Sequence, residues 1–197
     1  MRSVSRNYDQ NARKTVSHKK ILKQMLTSIH IHSMMRVMNG RAIDSTSTRT
    51  IAFVDIENLT GSATPAAWEC DRVRTIVEAL IDADHTPVVA ACSHRAAKTA
   101  SFMWPSARWK WRSGADGADL ALLDELDPTA IAGRFSHVVI GSGDGIFADI
   151  AGRLASHGVE VTVVSRRRGL ANRLRLAAKH VCVFDDVALE EVGSDAA

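Results

Sequence analysis

Short apolar runs alternate along the chain with longer segments in which apolar residues recur every three or four positions, and the alternation begins abruptly at residue 50. Residues 51–55 (IAFVD), 87–92 (PVVAAC), 137–142 (HVVIGS) and 159–165 (VEVTVVS) are short and apolar, rich in β-branched side chains, the pattern of strands buried on both faces. Residues 181–184 predict a terminal strand, and 108–112 (RWKWR) an exposed or edge strand. Between them, helical spacing predicts helices over 67–83, 94–102, 118–126, 146–157 and 170–179. Asp127 and Pro128 stop the third of these, since the residue before a proline is pushed out of the α region. Gly158 is placed to cap the fourth in the left-handed conformation. Strands alternating with helices of this length imply βαβ units and right-handed crossovers. The expected class is α/β, a three-layer α/β/α sandwich around a central, mainly parallel sheet.

Charge divides the 197 residues differently. Residues 1–50 hold ten Lys or Arg against two Asp, and the rest hold 15 basic against 20 acidic side chains. An acidic body therefore follows a basic leader. The leader has no sustained apolar period; Ile21, Leu22, Met25, Leu26 and Ile29 support no more than a short helix near 18–38. It lacks the apolar block and small-residue cleavage site of a secretory signal, and reads as a solvated tail or an Arg-rich transit peptide. Met35 and Met38 offer alternative starts just before the patterned region. The expected organisation is a leader over 1–48, a domain over 49–187 and an acidic tail over 188–197. No run approaches the ~18 apolar residues of a membrane span, so no membrane association and a cytoplasmic location are expected. Cys70, Cys92 and Cys182 form no CxxC pair and are odd in number, which points to reduced, buried thiols rather than a disulfide framework or zinc site. The apolar strands leave homodimerisation open.

Candidate chemistry collects where the strands end. In an open parallel sheet, ligands bind outside the carboxyl ends of the strands. The first strand ends in Asp55, followed by Glu57 and Asn58; the 137–142 strand runs into Ser142, Gly143 and Asp144; Asp116 and Asp119 open the helix that begins near 118. Three segments thus deliver carboxylates to one rim. Gathered like charges raise one another's pKa unless a cation compensates, and hard oxygen donors of this kind suit Mg2+ or Mn2+. A single such Asp is more often a helix cap or turn residue; three on one rim shift the balance toward a metal-dependent phosphoryl-transfer site. No P-loop, dinucleotide fingerprint or nucleophile elbow is present.

The segments FVDIENL (53–59), GADLALL (117–123) and VVIGSGDGIFADIAGRLASHGVEVTVV (138–164), with Ser165, resemble the NYN domain of the PIN-like nuclease superfamily across roughly residues 50–185. The resemblance implies an acidic, Mg2+- or Mn2+-dependent ribonuclease site acting on single-stranded RNA. Position by position, it implies Asp55, Asp119 and Asp144 as metal-holding catalytic acids, with Asp116 as the register alternative. It further implies Asn58 as the residue that orients the acid or a metal-bound water, and Ser142, the serine of the Ser-Gly-Asp segment, with Ser165 as substrate-binding residues. One position departs. Where the family reads SGDSDF this chain reads SGDGIF, so Ile146 stands at the second acid; one metal, weaker turnover, or none are the open consequences, with Asp149 and Glu57 the nearest substitutes. A catalytically weak or inactive RNA-binding module on the same fold is therefore the alternative expectation.

Beside the rim, Arg166, Arg167 and Arg168 follow Ser165, with Arg173 and Arg175 on the next helix. These are candidate substrate-binding residues, because cationic side chains supply most sequence-independent nucleic-acid affinity. Trp109 and Trp111 interleave with Arg108, Lys110 and Arg112, a pattern that serves either base stacking or packing. The histidines show no ligand spacing in the folded part. A phosphatase-like α/β enzyme is the third and least favoured reading: the first-strand Asp fits it, but Glu57 breaks the DxD pattern and no convincing Lys follows.

Overall fold

In the computed structural model, the described residues are 49–184, together with the backbone of 36–37. They form a seven-stranded sheet whose strands in chain order are β1 (Arg36–Val37), β2 (Thr50–Asp55), β3 (Val88–Cys92), β4 (Arg108–Trp111), β5 (His137–Gly141), β6 (Glu160–Arg166) and β7 (His180–Phe184). Their order in space is β1-β7-β6-β5-β2-β3-β4. Six strands run parallel, and only the two-residue β1 is antiparallel, pairing Arg36 with Val183 and Val37 with Cys182. The short helix expected near 18–38 is thus replaced by strand at 36–37; the rest of that expectation, the remainder of the leader and the tail lie outside the described residues.

Helices α1 (Ile56–Thr60), α2 (Ala67–Glu78) and α3 (Ala97–Met103) follow β2 and β3. Helices α4 (Gly117–Leu123), α5 (Pro128–Ala132), α6 (Ala148–Ser156) and α7 (Asn172–Ala177) follow β4, β5 and β6. From β2 the chain winds outward through β3 to β4, then returns to β5 on the other side of β2 and winds outward again through β6 to β7. Right-handed crossovers in opposite directions place the two helix sets on opposite faces, which is the three-layer sandwich. One face carries Ile51, Phe53, Val89, Ala91, Val138, Ile140, Val161 and Val163 against Ala118, Leu122, Leu126, Phe147, Leu154 and Leu174, all buried. Alternation along the strands turns Ala52, Val54, Ala90 and Cys92 to the face of α2 and α3, with Cys70, Val73, Val77 and Trp104 equally buried.

Most boundaries follow the pattern, and the exceptions have local causes. The helix expected over 67–83 stops at Glu78, where Leu80 N–H turns back to Val77 O (3.0 Å) and the next turn closes on Asp82. The helix expected over 118–126 ends already at Leu123, with Leu126 N–H turned back to Leu123 O, so Asp127 and Pro128 do not stop it but open the next one. Asp127 caps α5 by accepting from Thr129 and Ala130 N–H, with Pro128 in the first turn, where its missing N–H costs nothing. The helix expected from 146 starts as a 3-10 turn at Gly145–Phe147 before becoming α6, and Gly158, at φ +79°, ends it as expected. All three cysteines are buried and free.

Candidate functional site

The switch in winding direction falls between β2 and β5, and both strands end in acids there. Asp55 is the last residue of β2 and caps α1, its Oδ1 accepting from Asn58 N–H at 3.0 Å. After β5, Ser142-Gly143-Asp144 turns across the rim, and Asp144 caps the 3-10 turn by accepting from Ile146 N–H at 2.9 Å. Asp119, in the first turn of α4, meets Asp55, the two carboxyls lying close enough to share a hydrogen bond when one is protonated. Asp55 is 3% exposed and Asp119 8%. Burial pushes Asp55 above the carboxylate range, to about 8, reinforced by the charges of Asp119 and Glu57 against the lowering effect of the Asn58 amide. Burial also raises Asp119, with Asp144 and Asp116 adding repulsion and the Asp55 contact opposing it. The register alternative Asp116 stays exposed at φ +53°.

Loops tie this rim together. Asn58 Oδ1 accepts from Gly143 N–H (2.8 Å), bridging the β2 and β5 ends. Ser142 Oγ accepts from Asp144 N–H (3.1 Å), and Ser165 Oγ donates to Arg166 O (3.0 Å). Both serines are fully buried, so their hydroxyls shape the loop and do not face solvent, and the substrate-binding role expected of Ser142 and Ser165 is not what their placement supports. Gly143 packs against Ser165 Oγ and Gly169 O so closely that a Cβ there would collide with both. Ala171 N–H then donates to Gly143 O (2.8 Å), so the Ser-Gly-Asp turn and the 165–171 segment form one unit.

The arginines after Ser165 divide. Arg166 Nε donates to Asn58 O (2.9 Å), and its guanidinium lies against Gly61, clasping α1. Arg167 and Arg168 lie exposed in a 3-10 turn. The interleaved Trp segment also divides. Arg108 and Lys110 pair with Glu125 and Arg112 with Asp124, while Trp109 Nε1 donates to Trp104 O (3.1 Å) and only Trp111 is half exposed. The basic members are thus spent on α4 and the loop after it, and Trp109 on packing.

Of the acids that might stand in for residue 146, Glu57 is committed to the β3–α3 loop, accepting from Ser93 N–H (3.2 Å) and Oγ (2.5 Å), and Asp149 is exposed on α6. Ile146 packs against the core. Among the described residues no three Asp, Glu, His or Cys side chains close into a set able to hold a metal ion by themselves; Asp55 and Asp119 pair, and Asp144 acts on Asp119 through its charge. One feature of the pair fits a cation. Oδ1 of Asp119 is buried with no hydrogen-bond partner among the described residues, an arrangement that costs free energy until something supplies positive charge. The donors are all hard oxygens, matching Mg2+ or Mn2+, which keep several waters and need few carboxylates.

An acidic rim at the switch point of this α/β/α sandwich defines a nuclease-like domain of the PIN-like superfamily. The NYN domain model matches residues 49–185, and the chain belongs to that family. Its members are in general ribonucleases, and nucleases of this kind typically use divalent metals. None of the curated proteins matches the chain. A solved structure of a protein of unknown function from Vibrio parahaemolyticus is similar at 17% identity and TM-score 0.49, covering 73% of this chain and 98% of that one. No helix among the described residues is long and apolar enough to cross a membrane.

Proposed function

We propose that the rim is the active site of a divalent-metal-dependent endoribonuclease that hydrolyses phosphodiester bonds of single-stranded RNA. The observation that carries this reading is the buried Asp55–Asp119 pair, raised in pKa and left with an orphaned oxygen. Asp55 and Asp119 would hold Mg2+ or Mn2+, with Asp144 on the third side. When bound, the ion would supply Lewis-acid charge at the phosphodiester and lower the pKa of water.

The chain's own residues do the rest. Loading the site requires both carboxyls to lose their protons, which the raised pKa of Asp55 opposes at neutral pH and the cation's charge offsets. Asn58 holds the geometry twice, with its backbone N–H on Asp55 and its side chain on Gly143, so the β2 and β5 acids cannot drift apart. Asp144 accepts from Ile146 N–H through Oδ1, which leaves its other oxygen for the ion. Arg168, exposed beside the same turn, is available to the RNA backbone.

A second reading is kept because Ile146 is apolar, Glu57 is tied to Ser93 and Asp149 is exposed: a domain that binds RNA and cleaves it weakly or not at all. Incubating the full chain with labelled single-stranded RNA and Mn2+ separates the two. Cleavage by the parent that is lost in Asp55→Asn and Asp144→Asn supports the nuclease. Intact RNA that still binds supports the module, and neither binding nor cleavage overturns both.

A further inference from the structure

We infer that Arg173 and Gly145 form a phosphate-binding subsite next to Asp144 on the acidic rim, at which one backbone phosphate of a nucleic-acid strand is gripped. The inference rests on the nucleic-acid reading of the rim. It singles out one arginine from the basic set Arg166 to Arg168, Arg173 and Arg175 that the sequence offers.

Arg173 is the second residue of α7 and is exposed. Its side chain crosses to the Ser-Gly-Asp turn, where the guanidinium lies across Gly145: Cζ is 3.0 Å and Nη2 3.1 Å from the point a Gly145 Cβ would occupy, with Nε nearer still. The start of α7 is fixed to the same turn through Ala171 N–H and Gly143 O. The side chain is therefore located at both ends. Of the neighbouring arginines, Arg166 is engaged with Asn58 O and Arg175 with Asn172 Oδ1 at 3.1 and 2.9 Å, while Arg168 is exposed in the 3-10 turn. Arg173 makes no hydrogen bond and no ion pair with the described residues, although Asp144 is the neighbour of the glycine it covers. A guanidinium held beside an acidic site without neutralising it keeps its donor fork for another acceptor.

That acceptor is an anion reaching the rim from solvent. The planar fork matches two non-bridging phosphate oxygens, and such bidentate, charge-assisted bonds are stronger than neutral ones. A cation on this flank also offsets repulsion between a polyanion and the acids of the rim. Glycine at 145 is required by this pose. A methyl group would meet the far end of the Arg173 side chain, not backbone, and Gly145 has no positive φ. Gly145→Ala should therefore displace the guanidinium at little cost in stability, removing the subsite without removing a charge.

The test uses the full chain in EDTA, where cleavage is absent, and a fluorescein-labelled oligouridylate read by anisotropy from 50 to 200 mM salt, conditions set by the range over which phosphate contacts report. Arg173→Ala should weaken binding roughly tenfold and make the slope of log K against log salt shallower by about 0.7, one phosphate on a single strand. Gly145→Ala should reproduce that loss, the double variant should add nothing further, and Arg173→Lys should recover part of it. Arg153→Ala, on the exposed side of α6, should change neither value. An oligodeoxyuridylate should show the same Arg173 dependence, because the phosphate is common to both strands. Wild-type affinity and slope in Arg173→Ala would overturn the subsite while leaving the rim's reading intact. A loss in Arg173→Ala that Gly145→Ala does not share overturns the pose over Gly145, and a loss confined to RNA overturns the phosphate assignment. Failure of the parent to bind either strand overturns the reading on which the subsite rests, and the subsite with it.

Discussion

Strands β2 and β5 lie side by side and carry a buried polar cluster at each end, and the two clusters are built on opposite terms. At the amino ends, His137 sits between Thr50 and Thr162, Nδ1 at 3.3 Å from Thr50 Oγ1 and Nε2 at 2.8 Å from Thr162 Oγ1. Burial lowers its pKa to about 4, with Lys179 and His180 adding to the shift and Glu160 opposing it, so it is neutral at physiological pH. Both ring nitrogens are answered within the sheet. At the carboxyl ends, Asp55 and Asp119 are equally buried, but they repel: Asp55 holds its proton up to about pH 8, burial and the neighbouring acids raise Asp119 as well, and Oδ1 of Asp119 is left unanswered. A cluster that satisfies itself belongs to the fold. One that stays frustrated stores a cost that a cation can relieve, and it lies where the winding of the sheet reverses.

The contrast can be broken from either end. The largest effect is on catalysis: with Mn2+ present, Asp55→Asn should reduce RNA cleavage by about 10³-fold or more, measured as initial rate on labelled RNA, while Thr162→Val at the other end leaves the rate within about twofold. If both changes cost the same, the two clusters are not functionally distinct.

Next comes stability without metal. Asp119→Asn relieves the repulsion and should make the metal-free protein more stable at pH 8, by roughly 1–3 kcal/mol, read from urea midpoints; Mn2+ should raise the Tm of the parent and not of this variant. The pH dependence carries opposite signs at the two ends. The folded state holds the Asp55 proton up to about pH 8, whereas the unfolded chain releases it near 4, so this group lowers stability as pH rises through that window. His137 binds its proton in the unfolded chain near pH 6.5 and in the folded state only near 4. Its contribution is therefore full above 6.5 and lost as pH falls toward 4. Urea midpoints from pH 4 to 8 should show Asp119→Asn flattening the decline above pH 6.5 and uncovering, below it, the acid-side His137 loss that the Asp55 contribution offsets in the parent.

The smallest effect sharpens the satisfied end. Thr162→Val leaves His137 Nε2 without its partner and should cost about 1–2 kcal/mol, with unchanged Mn2+ binding by calorimetry. A shift in metal affinity would mean that the two ends communicate along the strands.

Much of this architecture is legible in the amino-acid sequence. The β-branched runs and the spacing between them locate six of the seven strands, because a strand buried on both faces has little freedom in composition. The acids could be placed on one rim from strand ends alone, and the resemblance of FVDIENL, GADLALL and the SGDGIF segment named the family that the domain match bears out. Other features were missed though their signals were present. Asp127-Pro128 starts a helix and does not stop the one before it, which ends at Leu123, and Asp55 followed by IENLT is a cap with a short helix behind it. β1 at Arg36–Val37 carries no pattern of its own, since two residues pair with β7 only because that edge is there to accept them.

Alternation and spacing along the chain are enough to decide the class of fold, the winding of its strands and which residues arrive at the rim, since burial periodicity and crossover handedness are properties of neighbouring segments. Which of Asp116 and Asp119 meets Asp55, why the meeting shifts both pKa values, why Ser142 and Ser165 are buried, and why Arg173 is left uncommitted while Arg166 is not are matters of tertiary structure. Each depends on groups tens to more than a hundred residues apart brought within a few ångströms, where desolvation and Coulomb interaction act through space and leave no trace in local sequence.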